Sequence, residues 1–489
     1  MSDKAPVPVH LAAALDGLAE NPGLPAELVR RLVGYRRGFG RVAERADLTT
    51  EVIAEIIAAD HHWLVHTLAL NSHIPDTVRL RLAEHRNPAI RAASLVGGRD
   101  AARDLFERLI NDPDKQVRQE LAECDHVPAD LRARMAGDSD PEIRATLARW
   151  WPQAPEEVRR ILLTDPVDQV RAAACSTYYS QPPHPVPPAD LVPILLDDPV
   201  TRVGAVRHCT LTAETALRLS NDPNHQVRRQ VAEHPQLSPK LRDTLAEDPS
   251  ASVRVGIFAR RDTPESIRYK IYAGIQRGSG PLTDMLDDDL DDDTALQEIE
   301  DFLAVTELRD LPLPWVTADP LPHVGSPYVC FRLSAARSRS LPVDAVTRLL
   351  HDDESNVRTT MARHAPHLVD QATAERIDRD FRPCKRTRWR PADDFTFSPQ
   401  TLRRFATDPD PRMRCLAPRD PDLPTDLAEH LAADSESSVR RTIAAHPRLP
   451  THALITLLTD QTEWVTRAAA ASPSLPVVDM ERLLLLAGL

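Results

Sequence analysis

The stretch Asp434 to Pro450, DSESSVRRTIAAHPRLP, decides how this chain of 489 residues is read. Its central Val439-Arg440 pair has counterparts at Met413-Arg414, Val357-Arg358, Val253-Arg254, Val227-Arg228, Val170-Arg171, Ile143-Arg144, Val117-Arg118 and Ile90-Arg91, and most intervals are 26 or 27 residues. A fixed period of that length is the mark of stacked supersecondary units, each too small to bury its own apolar face. Length alone would suggest several domains, and the repeat replaces that expectation with one continuous array.

One unit, Asn111 to Ala136, shows why the motif should fold. Asp112-Pro113 reads as a helix start: the carboxylate accepts from free first-turn amides, and proline at the first position loses no hydrogen bond. Val117, Leu121 and Ala122 then fall on one side of a short helix. Pro128 opens a second helix with Leu131 and Met135 four apart. Isolated helices shorter than about 12–15 residues are marginal in water, so stacking must supply the stability. The Arg after each anchor recurs too regularly for catalysis, and it is expected to lie in the seam between units and bind the Asp of its own or a neighbouring DP turn. His234, His364 and His446, each seven residues past an anchor, are expected to cap helix carbonyls.

On these residues, the pattern LxxDPxxxVRxxxAxxPxLPxxL resembles the leucine-rich repeat variant family and, more broadly, HEAT-like repeats. The resemblance implies an all-α fold, a right-handed α-solenoid of about 16 two-helix repeats of about 26 residues, whose usual role is binding. Members with an N-terminal iron-sulfur cluster carry cysteines that this chain lacks, its first being Cys124, and the His-Glu dipeptides of HEAT-like hydroxylases are absent. No cofactor is expected. The six cysteines stand singly, as apolar fillers in a reducing compartment. A formal charge of −13 weighs against a polyanion as the main partner, and neither a signal peptide nor a membrane-length apolar run is read, which places the chain in the cytoplasm.

Three segments break the pattern. The array is divided at 1–262, a divergent segment 263–330, and a second array 331–489 with a basic insertion near 382–391. The divergent segment holds the acidic run Asp287 to Asp293, a helix expected over Thr294 to Val305, and proline-rich residues Leu311 to Pro327. Asp292 stands where a calcium loop needs glycine, so no metal site is assigned there. Trp150, Trp151, Tyr178 and Tyr179 occupy corresponding places in consecutive units beside the stiff QPPHPVPP loop at Gln181 to Pro188. They are candidate partner-binding anchors, although the same rings would serve to fill a packing gap. Arg386, Arg388, Trp389 and Arg390 form the other candidate contact, the one stretch able to hold nucleic acid. The sequence reads as a non-catalytic scaffold with another protein or peptide as partner and no catalytic residue assigned; the alternative is a HEAT-like nucleic-acid-binding protein or DNA glycosylase-like enzyme.

Overall fold

The computed structural model describes residues 9–35, 40–98, 103–176, 184–278, 302–382 and 389–489. Among them every regular element is a helix, and none is long and apolar enough to cross a membrane. The chain is an all-α stack of two-helix units, as expected.

The specimen unit explains the architecture. Val117, Leu121 and Ala122 on helix Lys115–Glu123 are fully buried, and Leu131 and Met135 follow on the next helix and turn. The start differs from the expected one. Lys115–Glu123 is capped by Asp114, whose side chain accepts from Gln116 N, while Asp112 sits two residues earlier and accepts from Asp114 N at 2.9 Å. The first Asp therefore builds the turn and the second position caps the helix. Proline takes the first helical position only where cap and Pro are adjacent, as at Asp198-Pro199 and Asp410-Pro411.

This arrangement leaves Asp112 free for the seam. Arg91 of the preceding unit donates to both Asp112 carboxylate oxygens at 2.7 and 2.8 Å. Arg118 binds the Asp112 carbonyl of its own turn at 2.7 Å and the Asp138 carboxylate of the next at 2.8 Å. The same double clamp recurs at Arg228, Arg332, Arg414 and Arg440. The expected ladder is present, and each rung spans two units.

In chain order, α1 (Leu11–Glu20) opens the described array; α2 (Asp168–Cys175), α3 (Pro199–His208), α4 (His225–Glu233) and α5 (Ala251–Ala259) are anchor-bearing helices of successive units. Then follow α6 (Glu265–Gly278), α7 (302–310), α8 (Pro314–Ala318), α9 (Val329–Ala336) and α10 (Ser355–His364). Near the other end lie α11 (Glu463–Ala470) and α12 (Val477–Leu486). Anchor-bearing helices pack directly on one another along the stack; their partners touch each other much less and form the outer layer.

The chain divides into two compact units, one of Met1–Trp150 with Phe397–Leu489 and one of Trp151–Thr396. Within the first, α1 packs on α11, and α12 packs on α1 and on helix Ala26–Leu32. The Asn21 amide donates to the Ala470 and Ser472 carbonyls at 2.9 and 2.7 Å, the bond that Asn71 makes to Ala43 and Arg45 two repeats along. A Cβ on Gly17 would lie 2.2 Å from the Arg467 carbonyl, so only glycine permits this approach. The first repeat is therefore stacked on the last.

Candidate protein-interaction site

In the second unit, the segment where the repeat pattern fails runs across the anchor-bearing helices. Helix α7 buries Ala304 and Leu308, and the chain after it buries Leu311 and Leu313. Glu307 receives Arg229 of α4 through both carboxylate oxygens, at 2.5 and 3.3 Å, across 78 residues of sequence. Arg229 also donates to the Ser252 carbonyl of α5 at 2.5 Å and to Glu233 at 2.6 Å. Arg309 reaches Glu354 at the start of α10 at 2.9 Å. Ser334 of α9, fully buried, receives the Leu313 amide at 3.0 Å and is bonded by Thr317 through its carbonyl at 2.9 Å. Residues 302–318 are thus a strap tied to α4, α5, α9 and α10 by bonds from both of its ends.

An aromatic cluster anchors the strap. Trp315 donates its indole N–H to the Ala259 carbonyl at the end of α5 at 2.9 Å. Phe258 meets Tyr328 and Phe331 edge to face at centroid distances of 5.2 and 5.8 Å, and those two rings lie tilted to each other at 5.4 Å. The buried Arg268 guanidinium lies 5.1 Å from the Phe331 centroid and 5.9 Å from Trp315, and donates to the Arg260 carbonyl at 2.7 Å. The Tyr328 hydroxyl donates to Glu265 at 2.7 Å; burial first, and then this carboxylate, push the phenol above its ordinary value. Burial lowers the His323 imidazole, which stands edge-on to Trp315 and Phe331.

Between strap and stack a cleft of about 1650 Å³ is left. One wall is Arg207 of α3, Arg229, Gln230 and Glu233 of α4, and Gly256 and Ala259 of α5; the other is Glu307, Asp310 and Leu311 to Trp315. Gly256 keeps this wall low, because a Cβ there would meet Arg229 Cδ at 3.0 Å. A cleft larger than the roughly 300–1,000 Å³ of small-molecule pockets and walled by mixed charge suits a chain segment. A second hollow of about 810 Å³ lies between Glu265 and Arg268 of α6 and residues Leu321 to Tyr328, and Arg348 lies there against Gly325.

The residues nominated from sequence are placed differently from one another. Trp150 and Trp151 are half-buried; the Trp150 carbonyl accepts from Arg132 at 3.0 Å. Tyr178, Tyr179, Arg386 and Arg388 lie outside the described residues, as does the acidic run. Arg390 is spent on both carboxylate oxygens of the fully buried Asp378, whose Oδ1 also accepts from the Ala392 amide at 2.9 Å. Trp389 stands edge-on to Phe381, with the Arg363 guanidinium 5.1 Å from its ring. His234 and His446 cap carbonyls of the preceding unit, Cys209 and Asp420, while His364 caps Thr360 of its own helix. Burial pushes the thiols of Cys124 and Cys209 up to about 11 and of Cys175 and Cys330 to about 12, the behaviour of inert fillers. Arg229, Glu307 and Trp315 were missed. The long interval between anchors marked their neighbourhood, but nothing local marked the residues.

No family model matches this chain, and none of the curated proteins does. Among solved structures it is similar to Kap121p bound to Nup53p, at 13% identity over 95% of this chain and 55% of that one, with a TM-score of 0.25. Kap121p bound to the extreme C-terminus of the protein phosphatase Cdc14p matches at 13% over 92% and 51%, TM-score 0.23, and an engineered protein at 14% over 94% and 98%, TM-score 0.12. The chain spans about half the length of these Kap121p chains.

Proposed function

We propose that this protein is a non-catalytic helical-repeat scaffold that binds another protein, or a peptide of one, in the cleft between α3–α5 and the strap. The observation that carries the reading is the cleft itself: an open trough floored by successive anchor-bearing helices and walled by a segment that departs from the repeat. Assignment to the leucine-rich repeat variant family, a cytoplasmic location, the division of the array at 262 and 330, and a contact at Trp150, Trp151, Tyr178 and Tyr179 belong to the same proposal. The alternative of nucleic-acid binding through Arg386, Arg388, Trp389 and Arg390 is weakened because Arg390 and Trp389 are engaged by the chain's own Asp378 and Arg363.

The test uses Pro312→Trp, which fills the cleft from an exposed position on the strap. A partner recovered from source-cell lysate by the wild-type chain should be lost by Pro312→Trp and kept by Trp150→Ala/Trp151→Ala. Retention by the first variant and loss by the second would move the site to the tryptophan edge.

A further inference from the structure

The charges around the cleft are equal in number but not evenly paired, and the side chains left over specify a partner. Eight charged side chains line it: Arg207, Arg229, Arg260 and Arg261 against Glu233, Asp262, Glu307 and Asp310. Glu233 and Glu307 are both bound by Arg229, and Asp262 is bound by Arg260 at 2.8 Å. The rest of Arg260 is turned to backbone, the Ala232 and His234 carbonyls at 3.0 and 2.6 Å. Arg207 and Arg261 are exposed and make no ion pair among the described residues, against a single unpaired acid, Asp310. Two free guanidiniums on one trough are notable in a chain of net charge −13.

The strap shows how this wall receives a carboxylate. Glu307 arrives from 78 residues away and is held through both oxygens by a guanidinium that the stack itself braces through Ser252. Arg207 and Arg261 stand on the repeats on either side of Arg229. With neighbouring helices about 8–10 Å apart, the span from one to the other is about 16–20 Å, or about five residues of extended chain.

We infer that the cleft takes an extended acidic segment of a partner protein, with two carboxylates about five residues apart seated on Arg207 and Arg261. This rests on the proposed function and names the chemistry of its ligand. A chain that is acidic as a whole repels acidic peptides elsewhere on its surface, so binding of one reports the cleft.

Fluorescence anisotropy with the full chain at low salt decides the matter. The probes are labelled Gly/Ser decapeptides carrying two Glu five residues apart, two Gln, or two Lys at the same places. The Glu peptide should bind, the others should not, and Arg207→Ala/Arg261→Ala should weaken it at least tenfold while the thermal midpoint holds, both side chains being exposed. No binding of the Glu peptide, or binding indifferent to the double variant, overturns the acidic assignment. The native partner then separates the two ideas: if Pro312→Trp loses it and the double variant keeps it, the cleft stands as the site and the acidic chemistry falls. If the Glu peptide is lost by the double variant but bound normally by Pro312→Trp, the arginines act outside the cleft and both fall.

Discussion

At the scale of the residue, the seam arginines and their aspartates carry the electrostatics of the stack. The Asp112, Asp198, Asp434 and Asp460 carboxyls are each held below the ordinary range: burial works to raise them, and the arginine partner together with a backbone amide outweighs it. A depressed folded-state pKa stabilises above the unfolded value of about 3.9, and that stability is lost as pH falls through the folded value. The thermal midpoint is therefore expected to be level from neutral pH to about 5 and to drop below about 4; a midpoint at pH 3 equal to that at pH 7 would contradict the ladder's role. Arg390 offers a sharper test because Asp378 is fully buried. Arg390→Ala should cost about 3–5 kcal/mol on denaturant titration, the penalty of a stranded buried carboxylate. An unchanged midpoint would return Arg390 to the surface role read from sequence.

At the scale of the element, the closeness of anchor-bearing helices sets the rules for substitution. A Cβ on Gly204 of α3 would lie 2.1 Å from the Cys175 carbonyl of α2, whereas one on Gly137 would meet nothing within 4 Å. Gly204→Ala should destabilise by about 1–3 kcal/mol through overpacking, and Gly137→Ala should be neutral or slightly stabilising. Equal effects in a denaturant series would mean that the α2–α3 crossing is not this tight. The buried faces of these helices were legible in the sequence, since period and apolar spacing put Val117, Leu121 and Ala122 together without reference to the rest of the chain. The turn before them was read one step wrong: Asp112 and Asp114 are chemically alike, and which one caps the helix depends on which one the neighbouring arginine takes.

At the scale of the whole molecule, the contact between the first and last units is the feature no local rule supplies. Asn21→Ala should leave the Ala470 and Ser472 carbonyls unpaired and raise amide exchange in α1, α11 and α12 together, with helices far along the stack unchanged. Exchange confined to α1 would mean that the seam does not couple the ends.

The sequence by itself determined the all-α repeat, the buried face of each unit and the rungs of the ladder, because each depends on residues within about one period and is repeated many times. Only the tertiary structure decided that Glu307 belongs to Arg229 and Asn21 to Ala470. Those pairs join side chains that resemble many others of their type, and what selects them is the path of the backbone, which brings distant segments to the same place once every unit has stacked.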